Sequence, residues 1–361
     1  MAAKGYTFEE QVRQFFFNEG YFAIRSLPFR TMSYDITDVD LWCYRRMGSS
    51  RVTTIVDAKN RKSPKAFERI LWAKGLQGVV KADRAIIATT DANIAVARFA
   101  NDHGLDVLTK QVIDAHSAEG DIQRISLEEF ISEIRAYLSQ KEDGDWLGRI
   151  DDLKSSLVST GGFQSFNRAM NHFRFFGERL VTRPQLEPLA FRCLVMCASI
   201  AAVSLDIALS EAHFVDQKAR DRIIRNGVIY GEGSGERVRG TIARVIGLVE
   251  ESIDDGKVIG RKIQQSIEKQ FSNIRADIIS EFFSQEQRAE ELFAAARALD
   301  RVAFAQWGPP VDVPTSAKAV IGVFADFASI PRPAIFRRLN GGGGGSASAN
   351  PASQPKSDRL L

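Results

Sequence analysis

Cysteine is scarce, with three residues in 361 (Cys43, Cys193, Cys197). So sparse a set builds no disulfide framework and, with no signal peptide, points to the reducing cytoplasm. Cys193 and Cys197 are four apart and share a helix face. Without neighbouring Cys or His they read as core, not as zinc ligands. Histidine is as thin: His103, His116, His172 and His213 are scattered, with no metal spacing and no Ser or Cys nucleophile context. Long apolar runs are missing too. The longest, Cys193 to Leu205, is bounded by Arg192 and Asp206 and is too short to cross a bilayer, so no membrane role is expected. Nor is there an excess of one charge: 48 Lys and Arg face 45 Asp and Glu, a formal net of +3. Any affinity for a polyanion must therefore come from where the charges sit. No internal repeat or heptad array is visible. Gly231-Glu232-Gly233-Ser234-Gly235 lacks a following Lys-Ser/Thr and a preceding strand, so it reads as a loop and not a phosphate cradle.

What is present is a globular composition, 44% hydrophobic and 26% charged, in a chain long enough for two or three domains. Phe8, Val12, Phe15 and Phe16 fall on one face of a helix over 6–19, with Thr7 as N-cap and Gly20 as stop. A strand over Tyr21 to Phe29 follows. Val39 to Arg46 and Thr54 to Lys59 read as strands of a hairpin turned at Met47-Gly48-Ser49-Ser50, with Asp35 in a turn before it. Ser63-Pro64 opens a helix over 64–80, whose Gly75 and Gly78 would let it lie close to the sheet. A strand (Ala85–Ala88), a helix (Ala92–Asn101, stopped by Gly104) and a strand (Leu105–Leu108) complete an α/β unit.

Beyond about residue 115 helical periodicity takes over. Ser126 and Glu129 form a capping box before Leu127, Phe130, Ile134 and Leu138. Helices are expected over Phe163–Leu180, Leu186–Glu211, Glu236–Ser252 and Ser316–Ser329. The aromatics Phe173, Phe175 and Phe176 read as core. Between 257 and 306, Ile259, Ile263, Ile267, Phe271, Ile274, Ile278 and Phe282 step along one side, as a core seam or as the surface of a homodimer. The organisation expected is an α/β domain at 1–115, a helical domain at 120–335, and a Gly/Ser/Ala/Pro tail at 336–361 too poor in apolar residues to fold.

The chemistry concentrates in Asp38-Val39-Asp40-Leu41 and Thr54-Ile55-Val56-Asp57-Ala58-Lys59. On a strand, side chains two apart share a face about 6.5 Å apart, so Asp57 and Lys59 point the same way. Carboxylates beside an ammonium can hold a divalent cation and polarise a phosphate. Asp38, two before Asp40, could take its place as ligand. From Arg45 to Lys81 the basic residues Arg45, Arg46, Arg51, Lys59, Arg61, Lys62, Lys65, Arg69, Lys74 and Lys81 outnumber Asp57 and Glu68. That excess suits a nucleic-acid backbone or a solvated helix face.

Asp40 followed by Asp57-Ala58-Lys59 resembles the D…(D/E)xK motif of the restriction-endonuclease-like nuclease superfamily. The preceding helix with Glu9 after Phe8, and the strand and helix after the motif, resemble its Mrr-type and Holliday-junction-resolvase-like branch. The resemblance covers about residues 4–110. Asp57 stands where Glu is commoner. It implies a mixed sheet flanked by helices and a Mg²⁺-dependent endonuclease acting on double-stranded DNA, in restriction, repair or defence, with Mn²⁺ as a substitute. Catalytic residues would be Asp40, Asp57, Lys59 and Glu9. Metal ligands would be Asp40, Asp57, Glu9 and the Ala58 carbonyl. Arg61, Lys62, Lys65 and Arg69 would hold the nucleic acid, and Gln77 would reach towards the site. The alternative is a catalytically silent or conditional binding protein whose helical half recruits partners.

Overall fold

The structure, a computed structural model, describes residues 2–31, 34–59, 66–90, 93–116, 124–231, 235–253, 255–306 and 312–340. Helix α1 (Ala2–Asn18) starts earlier than its apolar spacing suggests, so Thr7 lies within the helix and not at its N-cap position. Gly20, at φ 90°, takes the left-handed turn into the sheet, a conformation glycine adopts without steric cost. Strands β1 (Phe22–Thr31), β2 (Tyr34–Met47), β3 (Ser50–Lys59), β4 (Arg84–Thr89) and β5 (Asp106–Thr109) form one sheet in that order. β1, β2 and β3 pair antiparallel; β3, β4 and β5 pair parallel. The parallel pairs require crossovers, supplied by α2 (Ala66–Val79) and α3 (Ile94–Asp102, capped by Asn93). A helix α4 (Lys110–His116) follows β5.

The strand β2 begins at Tyr34, not Val39, so Asp40 sits inside it. Asp35 is a strand residue paired across to Arg30 and bonded to its guanidinium at 2.6 Å, not a turn residue.

Each sheet face has its own cover. Phe8, Val12 and Phe16 of α1 and Ile113 of α4 pack on Ala23, Leu41, Cys43, Val56, Ala58 and Ala88. Ile70 and Ala73 of α2 and Val96 and Ala100 of α3 belong to a second cluster with Ile24, Trp42, Tyr44, Ile55 and Ile87. Adjacent strand residues thus face opposite helices, as the pleat demands.

The second cluster runs on into the helical region without a break. That region comprises α5 (Leu127–Ala136), α6 (Trp146–Ser159), α7 (Gly162–Thr182), α8 (Glu187–Ala208), α9 (Gln217–Tyr230), α10 (Gly235–Ser252), α11 (Gly256–Ser272), α12 (Ala276–Phe283), α13 (Glu286–Phe304), α14 (Thr315–Ala328) and α15 (Arg332–Leu339). The Ser126–Glu129 capping box forms as expected. Cys193, Cys197, Phe173, Phe175 and Phe176 are buried. Including the short turn before it, α8 is long and apolar enough to cross a membrane by composition, and 89% of its apolar window is buried in the fold. Its burial, not its length, makes it a core helix.

The Ile/Phe stripe is not one seam. It breaks at Asn273–Arg275, between α11 and α12. Ile274, Ile278 and Phe282 pack against the main core, while Ile259 is exposed. The expected tail starts late, because α15 carries the helix to Leu339. Residues 341–361 lie outside the described residues.

Candidate active site

The register that pairs Leu41 with Val56 sets the next residues, Asp40 and Asp57, beside each other. Directly opposed strand residues have Cβ atoms about 4.5–5.5 Å apart. Leu41 and Val56 point to the α1 face, so the two carboxylates point to the face covered by α2. Asp57 is buried, at 8% exposure. One carboxylate oxygen of Asp40 accepts a hydrogen bond from the Ala58 amide at 2.9 Å, which ties β2 to the end of β3.

Among the described residues, Arg69 is a cation that faces this pair. It lies one turn into α2, between Ala66 and the buried Ile70 and Ala73, and its guanidinium is ion-paired with Asp57. Burial pulls the Arg69 pKa down, and the charge of Asp40 pulls it back up. The resemblance assigns Arg69 to nucleic-acid binding; in the fold its guanidinium rests on Asp57. Its signal was present in the helix spacing, since Arg69 falls on the flank that carries Ile70 and Ala73.

Glu9 is elsewhere. Its carboxylate accepts from Arg25 at 3.0 Å, and Arg25 also binds Glu10 at 2.9 Å and Glu128 at 3.0 Å. Arg25 pairs with Leu41 in the sheet, so it shares the α1 face, across the sheet from Asp40 and Asp57. Burial acts against the charge of Arg25 and the carboxylates outweigh it, holding its pKa up. Among the described residues no three His, Cys, Asp or Glu side chains converge to hold a metal. The described contacts of Glu9 are thus with Arg25 on the α1 face, while Asp40 and Asp57 face α2.

Gln77 also points away. It donates to the Asp83 carbonyl at 3.0 Å and accepts from Lys74 at 3.1 Å, beside Thr53 at the opposite end of β3 from Asp57. Gly75 and Gly78 lie on the exposed side of α2, with open space where a Cβ would stand, and do not draw the helix to the sheet. Asp38 is exposed. Lys59 ends β3 opposite Thr89; its side chain, with Arg61, Lys62 and Lys65, lies outside the described residues.

Part of the basic excess is structural. Arg46 and Arg51 reach the buried Asp206 of α8, and Arg45 covers the Tyr21 ring at 5.1 Å. A cleft of about 710 Å³ opens where the sheet meets α6, α7 and α9, lined by Arg30, Trp42, Thr53, Lys81 and Asn226 among others. Neither Asp40 nor Asp57 lines it.

Two adjacent carboxylates suit a hard divalent cation, because Mg²⁺ is commonly bound through one or two carboxylates with water and phosphate oxygens completing its shell. The donor set fits that ion in type and number, and Arg69 supplies the balancing positive charge in this form. No family model, curated protein or solved structure matches the chain.

Proposed function

We propose that this protein is a metal-dependent nuclease of the restriction-endonuclease-like type that hydrolyses DNA phosphodiester bonds. One observation carries the reading: Asp40 of β2 and Asp57 of β3 lie side by side on one sheet face, and β3 ends as Asp57-Ala58-Lys59. The element order supports it. A helix, three antiparallel strands, a helix and a parallel strand follow one another as the resemblance implies.

Asp40 and Asp57 would hold the cation. Bound there, Mg²⁺ supplies a Lewis acid for the phosphate and an activated water. Lys59 would orient that water or balance charge on the phosphate. The Ala58 amide fixes the Asp40 carboxylate, so it positions a ligand without touching substrate. Arg61, Lys62 and Lys65 directly follow the motif and would hold the DNA backbone. A two-fold dimer would bring two sites to the two strands of a duplex. Its surface, in this reading, is the α10–α11 hairpin, where Val245, Leu248, Ile253 and Val258 are exposed.

A second reading has its own support. Because Arg69 pairs with Asp57, this form favours a conditional or silent site.

The test is plasmid cleavage by the full chain with Mg²⁺, with Mn²⁺ and with chelator. Asp57→Asn and Asp40→Asn should each reduce cleavage by at least about a hundredfold while the circular dichroism spectrum is unchanged, since general acid–base and charge-stabilising groups contribute on that scale. Full activity in either variant at saturating Mg²⁺ would remove the assignment.

A further inference from the structure

We infer that Arg69 is a substrate-operated latch on the acid pair: it neutralises Asp57 until a nucleic-acid phosphate draws it away. The inference rests on the nuclease reading and adds to it a regulator of metal entry.

The electrostatics demand a counter-ion. Two carboxylates whose Cβ atoms stand on directly opposed strand positions, about 5 Å apart, one of them with only 8% exposure, repel each other in a poorly solvated site. Arg69 answers that demand from within the chain, on Asp57 and within the field of Asp40. A guanidinium and a divalent cation are then rivals for the same charge.

The geometry allows the exchange. Arg69 sits near the start of α2, and its side chain keeps 21% exposure, so its guanidinium can turn outward without unwinding the helix. A phosphodiester is the natural acceptor for it, because the planar fork of arginine matches two phosphate oxygens. An arriving backbone would take Arg69 from Asp57, and the freed carboxylates would bind the metal. Cation and nucleic acid must then strengthen each other's binding by one common factor. The pairing that favours a silent site is thus the resting state of a conditional enzyme.

The experiment is calorimetric titration of the full chain with Mn²⁺, without DNA, comparing wild type, Arg69→Met, Arg69→Gln and the double variant Arg69→Met with Asp57→Asn. Both single variants should bind Mn²⁺ at least about tenfold more tightly than wild type, within the usual range of couplings between sites. The double variant should lose that gain. Adding a short DNA duplex should tighten Mn²⁺ binding to wild type and have a much smaller effect on Arg69→Met. Equal Mn²⁺ affinity in wild type and both single variants, still abolished by Asp57→Asn, would overturn the latch and leave the metal site standing. Absence of Mn²⁺ binding in every folded variant would overturn the metal site itself, and the latch with it. Using two replacements at position 69 guards against one that misfolds, and circular dichroism identifies it.

Discussion

The strands that carry Asp40 and Asp57 are fastened at their other end to the helical region, and Asp206 tests how firmly. This aspartate is fully buried on α8. Its carboxylate accepts from the Tyr44 hydroxyl at 2.5 Å and from Arg46 at 2.8 Å, with Arg51 at 3.6 Å. Burial pushes the Asp206 pKa up, opposed by Arg46, Tyr44 and Arg51, and burial also raises the Tyr44 hydroxyl. Asp206→Ala would leave two arginines, with side chains only 7% and 9% exposed, facing an empty pocket. Removing one partner of a buried ion pair costs about 3–5 kcal/mol. The lower end is expected, because Arg46 retains the Ala289 carbonyl at 2.9 Å and Arg51 that of Ser49 at 3.2 Å. Urea unfolding should therefore show a loss of about 3 kcal/mol, and a cycle with Tyr44→Phe should show a coupling of about 1–3 kcal/mol. Since one apolar cluster runs through sheet and helices, helical circular dichroism and tryptophan fluorescence should report one coincident transition in the wild type. A loss under about 1 kcal/mol, or two separated transitions, would refute the claim that this network joins the two regions.

Two further outcomes are expected. Burial raises the Glu10 pKa, but Arg13, Arg124 and Arg25 outweigh it and hold the carboxyl below its ordinary value of 4.5. A depressed carboxyl contributes stability that is full above its unfolded value and fades as pH falls below it. Glu10→Gln should therefore lower the melting temperature at pH 7, with the effect shrinking steadily as pH falls below 4.5; a pH-independent difference would contradict the ion-pair account. For the proposed dimer, Leu248→Glu on α10, where Leu248 is 63% exposed, should convert dimer to monomer by light scattering with helical signal retained. A wild type that stays monomeric at micromolar concentration with DNA bound would rule the pairing out.

Where local pattern and tertiary demand agree, the fold could be read from the chain. The alternation in β3 and the two-residue turn at Gly48-Ser49 suffice, by themselves, to set Asp40 beside Asp57. The capping box at Ser126 is likewise a purely local device. What escaped depends on partners far along the chain. Arg25 reads as an ordinary charged residue, yet Glu128, 103 positions on, helps to make its burial tolerable beside Glu9 of α1. Gly75 and Gly78 face outward because Ile70 and Ala73 already supply the inner side of α2. Helices α6 and α9 do carry a readable spacing: Trp146, Ile150, Leu153 and Leu157 in α6, and Ile224 and Val228 in α9, fall on their buried faces. The stripe from Ile259 to Phe282 kept its spacing across Asn273–Arg275, and periodicity alone does not register a break that preserves phase.

The distribution of these fastenings bears on the site. β1 is braced by α6, where Lys154 donates to the Ser26 carbonyl at 2.9 Å. α1 is held from α13, where Arg297 donates to the Phe17 carbonyl at 2.8 Å. β2 and β3 are clamped at Asp206. The helix that carries Arg69 is anchored much more lightly. Only Ile70 and Ala73 of α2 are buried, while Phe67, Leu71, Trp72 and Val79 are exposed. Regions with few buried apolar contacts are those that open at low free energy. The acids therefore sit on the rigid part of the molecule and their counter-ion on the adaptable part. A latch requires that asymmetry, because the carboxylates must keep their spacing while the guanidinium leaves.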